Sequence, residues 1–118
     1  MPVEGGFAEA LRAERLAVEE RVRRRESELG ELAGARGDAN SDDEHDPEGA
    51  TLSDEWSRLT GLRAQERREL ERIDAAAARL RDGTFGVCEG CGSKIPRERL
   101  RVRPTATRCV SCASSSRR

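Results

Sequence analysis

Asp82-Gly83-Thr84-Phe85-Gly86-Val87-Cys88-Glu89-Gly90-Cys91-Gly92 is the stretch on which the reading of this chain turns. It ends a long run of helix-forming residues on a glycine and opens a segment built around cysteine. Cys88, Cys91, Cys109 and Cys112 are the only cysteines, arranged as two Cys-x-x-Cys pairs with 17 residues between them. Two intervening residues let the thiolates of a pair converge on one ion, and a loop of that length returns the second pair to close a tetrahedron. With thiolate at all four positions there is no place for water or substrate, so the pattern predicts one structural Zn²⁺ and no catalytic metal. The competing chemistries fit less well. Two disulfides suit a secreted mini-protein, and a dithiol redox centre needs only one pair. No apolar signal segment opens the chain and no run approaches membrane-spanning length, so a cytoplasmic setting without membrane contact is expected.

Working back from Gly83, apolar residues recur with a 3.5-residue period. Leu52, Leu59, Glu66, Ile73 and Leu80 hold one heptad position, and Trp56, Arg63, Leu70 and Ala77 hold the other. Thr51-x-x-Asp54 resembles a capping box at the start of that helix, and Gly83 can take the left-handed conformation that ends it. Residues 7 to about 36 repeat the pattern, with Leu11, Val18, Arg25 and Leu32 on one row and Ala8, Arg15, Val22 and Leu29 on the other. Gly37 to Ala50 is rich in Gly, Asp, Asn and Ser, holds one Pro, and reads as a connecting tip. Folding back there gives an antiparallel coiled-coil hairpin in which paired positions sum to about 88. One layer of it is awkward: Arg25 would face Arg63, with Val22 against Glu66 beside it. Glu66 or Glu26 could neutralise the arginines.

Downstream of Gly83, Arg99 to Arg103 alternates Arg with Leu100 and Val102, a short strand pattern stopped by Pro104. A module of about 30 residues buries too little to fold alone, so metal must supply most of its stability. The expected architecture is mostly α. It comprises a hairpin over residues 1–82 with an acidic tip at about 37–51, a four-cysteine zinc module over 83–113, and a short tail over 114–118.

Composition agrees with exposed helices and a small module. Only 35% of residues are hydrophobic while 38% are charged, too little apolar mass for a large core. The net charge of −1 argues against a polycation seeking nucleic acid. Charge is unevenly placed: no Lys or Arg lies between Arg36 and Arg58, whereas Lys94, Arg97, Arg99, Arg101, Arg103 and Arg108 make the later part basic.

The signature Asp82-Gly83-Thr84-Phe85-Gly86-Val87-Cys88-x-x-Cys91-Gly92, followed by Ile95-Pro96, Arg99-Leu100, Arg103-Pro104-Thr105-Ala106 and Cys109-x-x-Cys112, resembles the DksA/TraR family of bacterial transcription factors. With the preceding hairpin, the resemblance covers about residues 7–112. It implies a non-enzymatic regulator that binds RNA polymerase, with the coiled coil entering the secondary channel and the zinc-bearing part at its rim, often acting together with ppGpp. The family's tip motif, Asp-x-x-Asp-x-Ala, falls on His45-Asp46-Pro47-Glu48-Gly49-Ala50. Glu48 and Ala50 keep the second acid and the alanine, and Asp46 stands beside the displaced first acid. By the same resemblance the basic residues of the family's alarmone site fall on Arg72, Gln65 and Ala113, of which only Arg72 is basic.

Three function classes can be weighed on the residues. A polymerase-binding regulator, expected to be a monomer, accounts for hairpin, acidic tip and zinc module together. A nucleic-acid-binding zinc module would use Arg97, Arg99, Arg101, Arg103 and Arg108 on phosphate, but an acidic arm opposes strong DNA binding. A redox enzyme would use Cys88 and Cys91. No nucleophile–base pair or phosphate-cradling glycine loop supports other catalysis.

Overall fold

The computed structural model describes the backbone of residues 4–40 and 47–115, and the side chains of residues 6–35 and 51–115. Four helices follow in order: α1 (Glu4–Asn40), α2 (Pro47–Asp82), α3 (Arg97–Val102) and α4 (Val110–Ser115). Among the described residues there is no strand, only an isolated antiparallel bridge between Val87 and Lys94. The chain divides into two compact units. One comprises residues 1–16 and 71–118, the other residues 17–70, so α1 and α2 contribute to both.

In the unit of residues 17–70 the heptad rows become a buried seam. Val18, Val22, Leu29 and Leu59 are all buried, as their spacing requires. Arg21 pairs with Glu69 while the later Arg25 pairs with the earlier Glu66, which makes the helices antiparallel, and Glu26–Arg67 lies beside them. The awkward layer resolves as one of the expected outcomes. Glu66 is buried, and its carboxylate meets the Arg25 guanidinium at 3.6 Å, while Arg25 also bonds Glu28 at 2.8 Å.

In the other unit, Leu11, Ile73 and Ala76 are buried along the helices, and Arg15 grips Asp74 through two bonds of 2.8 and 3.2 Å. That guanidinium holds the Asp74 carboxyl below the usual carboxylate range. A second cluster joins helix to module: Phe7, Cys88, Ile95, Leu100 and Ala106 are buried together, with Leu80 and Phe85 packed against them. The rings of Phe7 and Phe85 lie 5.2 Å apart. The module therefore does not stand on its own apolar residues. It borrows Phe7 from α1 and Leu80 from α2, as its small size demands.

Two local expectations are corrected. Residues 99–103 are not a strand but lie in and just beyond α3, in which Leu100 is buried and Val102 is 86% exposed. The alternation offered two apolar residues only, and just one of them has a core to enter. Pro96, with φ −57° and ψ 140°, sets up the first turn, and its carbonyl accepts the Leu100 N–H at 3.2 Å. The long helices also run further than their caps suggested, α1 to Asn40 and α2 from Pro47, which leaves Thr51 inside α2. Proline is favoured in the first helical turn, where its missing N–H has no partner to lose. Once a helix exists, each further residue adds a hydrogen bond for one residue ordered, so weak formers such as Asp38 and Asn40 can be carried along.

Candidate metal centre

The site is assembled from three backbone turns. At the end of α2, Gly83 has φ +81°, and the Thr84 and Phe85 N–H groups donate back to the Arg79 carbonyl at 2.9 and 3.2 Å. The first of these is the six-to-one bond of a Schellman ending, which turns the chain out of the helix. The segment then doubles back: Ile95 N–H bonds the Gly86 carbonyl at 2.7 Å and Cys88 N–H bonds the Ser93 carbonyl at 2.8 Å. Between them Gly92 N–H closes on the Cys88 carbonyl at 2.9 Å, with Gly92 at φ +78°, so both sulfurs of the first pair face inward. The second pair is brought alongside by Glu89 N–H donating to the Thr107 carbonyl at 2.8 Å. Cys109 and Cys112 flank the first turn of α4, where Ala113 N–H bonds the Cys109 carbonyl at 2.9 Å.

The result brings all four predicted cysteines together, their Sγ atoms lying within 4.8 Å of one another. Cys88 Sγ is 3.8 Å from Cys109 Sγ, and Cys91 Sγ is 3.9 Å from Cys109 Sγ. A disulfide requires about 2.05 Å, and all four are free thiols. A regular tetrahedron with Zn–S of about 2.3 Å has edges of about 3.8 Å. The donor set and its spacing thus fit zinc. Approach is close enough that a Cβ on Gly90 would stand 2.8 Å from Cys112 Sγ.

The electrostatics of the cluster point the same way. Cys88 is held down to about 6, first by the Cys109 N–H and also by those of Cys91 and Gly90, against burial, which acts oppositely. Cys109 and Gly90 N–H both reach its sulfur at 3.3 Å. Ser93 lowers Cys91. Cys112 is pushed up to about 12, first by Cys88 and then by Cys109 and Cys91. One thiolate forms readily while the last is opposed by its neighbours, so only a cation lets all four ionise together.

A second feature adjoins the cysteines. A groove of about 520 Å³ is lined by Arg72, Arg79, Arg99, Arg103 and Arg108, with Thr and Ser hydroxyls and, among the described residues, no carboxylate. Arg99 is positioned by a 2.8 Å bond from its Nε to the Arg108 carbonyl, and one Arg79 terminal nitrogen is buried with no hydrogen-bond partner among the described residues. Sequence reasoning singled out Arg99, Arg103 and Arg108 but passed over Arg79. The available signal was its spacing of one heptad from Arg72, which puts both on one face of α2. Of the tip residues, Asp46 lies outside the described residues. Glu48 and Ala50 begin α2, but their side chains also lie outside the described set.

Residues 83–118 match the family model described as the prokaryotic dksA/traR C4-type zinc finger. The fold agrees with the solved structure of transcription factor DksA2 from Pseudomonas aeruginosa at a TM-score of 0.82, covering 98% of this chain and 83% of that one at 25% identity. The chain belongs to the DksA/TraR family. Among curated relatives, the RNA polymerase-binding transcription factor DksA of Haemophilus influenzae is 38% identical over 63 residues, 53% of this chain and 43% of the relative. General stress protein 16O of Bacillus subtilis is 35% identical over 83 residues, 70% of this chain and 47% of the relative. The chain therefore spans somewhat less than half the length of the curated relatives it matches. The sulfurs sit in the short module that follows the end of α2. No described helix is long and apolar enough to cross a membrane.

Proposed function

We propose that this chain is a non-enzymatic regulator of transcription that binds bacterial RNA polymerase through its secondary channel. The observation that carries the reading is the pairing of a DksA-type finger with a DksA2-like fold over nearly the whole chain. Cys88, Cys91, Cys109 and Cys112 would hold one zinc ion, whose chemistry is structural: it neutralises thiolates and pins the module to the end of α2. The module would then rest at the channel rim. The acids Asp46 and Glu48, with Ala50, would act at the hairpin tip inside, where negative charge can approach a catalytic Mg²⁺ or the basic channel wall. The working form is a cytoplasmic monomer. Immobilised core RNA polymerase should retain the chain, and bare duplex DNA should not at physiological salt. Retention by DNA with a steep salt dependence, and none by polymerase, would favour the nucleic-acid-binding reading instead.

The arginine groove supports ppGpp as a co-ligand, because Arg72 and Ala113, two positions of the family's alarmone site, both line it. Arg79, Arg99, Arg103 and Arg108 supply the positive charge that Gln65 and Ala113 do not. Arg79→Ala with Arg103→Ala should weaken ppGpp binding to the polymerase complex about tenfold or more. Direct titration of labelled ppGpp reads this, and unchanged affinity would remove the groove from the account.

A further inference from the structure

We infer that the buried Arg25–Glu66 pair is a pairing lock, committing α1 to α2 in one antiparallel register. The neighbouring layers cannot do this. Val18, Val22, Leu29 and Leu59 are buried aliphatic residues, and one such residue packs against another with little preference. Glu66 is different: its side chain is 9% exposed, and that of Arg25 is 19% exposed, at an Nε–Oε2 separation of 3.6 Å.

The pair is a poor source of stability. Its separation exceeds a good hydrogen bond, and Glu66 Oε1 and Arg25 Nε are both buried with no hydrogen-bond partner among the described residues. An apolar pair of similar volume would pack at least as well. What the pair does supply is a penalty on arrangements that take Glu66 away from a basic partner. Slipping one heptad one way would set Glu66 against Leu29 and Leu32, its carboxylate without a cross-helix cation, and Arg25 against Leu70 and Ile73 with only Glu28 of its own helix. A parallel pairing of like helices would set Arg25 on Arg25 and Glu66 on Glu66. The other cross-helix pairs, Arg21–Glu69 and Glu26–Arg67, follow the same register. Every side chain in them is at least 35% exposed, so water and salt screen their preference.

The test uses the full chain with a photo-cross-linking amino acid in place of Leu32, cross-linked peptides identified by mass spectrometry. Wild type should give one intrachain product, within residues 52–59, and a monomeric mass by light scattering. Arg25→Leu with Glu66→Leu should raise the melting temperature by about 4 °C or more. It should also scatter the cross-links over heptad-shifted peptides or add a dimeric mass. Glu66→Leu alone should lower the melting temperature by about 4 °C or more, because Arg25 is left at the seam with no carboxylate on the facing helix and only Glu28 of its own turn. If that single variant does not fold, the double variant still decides the matter. A double variant that stays monomeric with one cross-linked product overturns the lock, as does one that melts below wild type.

Discussion

Cys88→Ser should abolish stoichiometric zinc binding and unfold the module from Thr84 onward. Cys88 is the most buried sulfur of the four, and two N–H groups are aimed at it. Its loss takes away both the best-stabilised thiolate and a member of the cluster formed with Ile95, Leu100 and Ala106. Structural zinc in small modules contributes about 10–16 kcal/mol, more than a segment of this size can replace. The damage should spread to the ends of α1 and α2, because Phe7 and Leu80 would lose the surface they pack on. It should stop short of residues 17–70, whose seam is separate. Metal analysis should fall from one zinc per chain to none, while hydrogen exchange stays slow at Val18, Val22 and Leu59. Retained zinc at full occupancy would contradict the closed four-sulfur shell.

The second large effect is expected at the tip. Asp46→Asn with Glu48→Gln removes two negative charges with little change of volume. Affinity for core polymerase should change by only about 1 kcal/mol, the scale of a solvated charge contact. On the proposed reading the chain would alter open-complex lifetime through charge delivered near the active centre, and that effect should be largely lost. Filter-binding decay of open complexes measures the effect, and fluorescence anisotropy measures the affinity. Equal loss of both would make the tip an anchor, and loss of neither would leave it a connector.

What the sequence disclosed and what it hid follow from the range of the interactions involved. Cysteine spacing and Gly83 are local signals, and the structure bears them out in converging sulfurs and a positive-φ helix ending. Heptad positions Leu11, Val18, Leu59 and Ile73 are buried, since a 3.5-residue period is imposed by the seam itself. Glu66 was legible as an intruder in that period. Its partner was less so, because the choice between Arg25 and Arg63 depends on side-chain reach across the seam. The α3 region misled because an alternation of two apolar residues cannot separate a strand from a helix with one buried contact. Least legible was the arginine groove, whose charges come from one face of α2 and from α3 and the loop after it, up to 36 residues further on, as Arg72 and Arg108 show. Phe7 was legible in part: the antiparallel register brings it to Leu80, but its ring contact with Phe85, remote in sequence, was not foreseen.

The most direct test of the polymerase reading is site-specific photo-cross-linking from position 48 in complex with core RNA polymerase. A probe at the tip should cross-link to polymerase segments that surround the catalytic Mg²⁺ at the inner end of the secondary channel, and a probe at Arg97 in the module should cross-link only at the rim. Cross-links from position 48 confined to the outer surface of polymerase, or appearing equally with the channel blocked, would contradict the account.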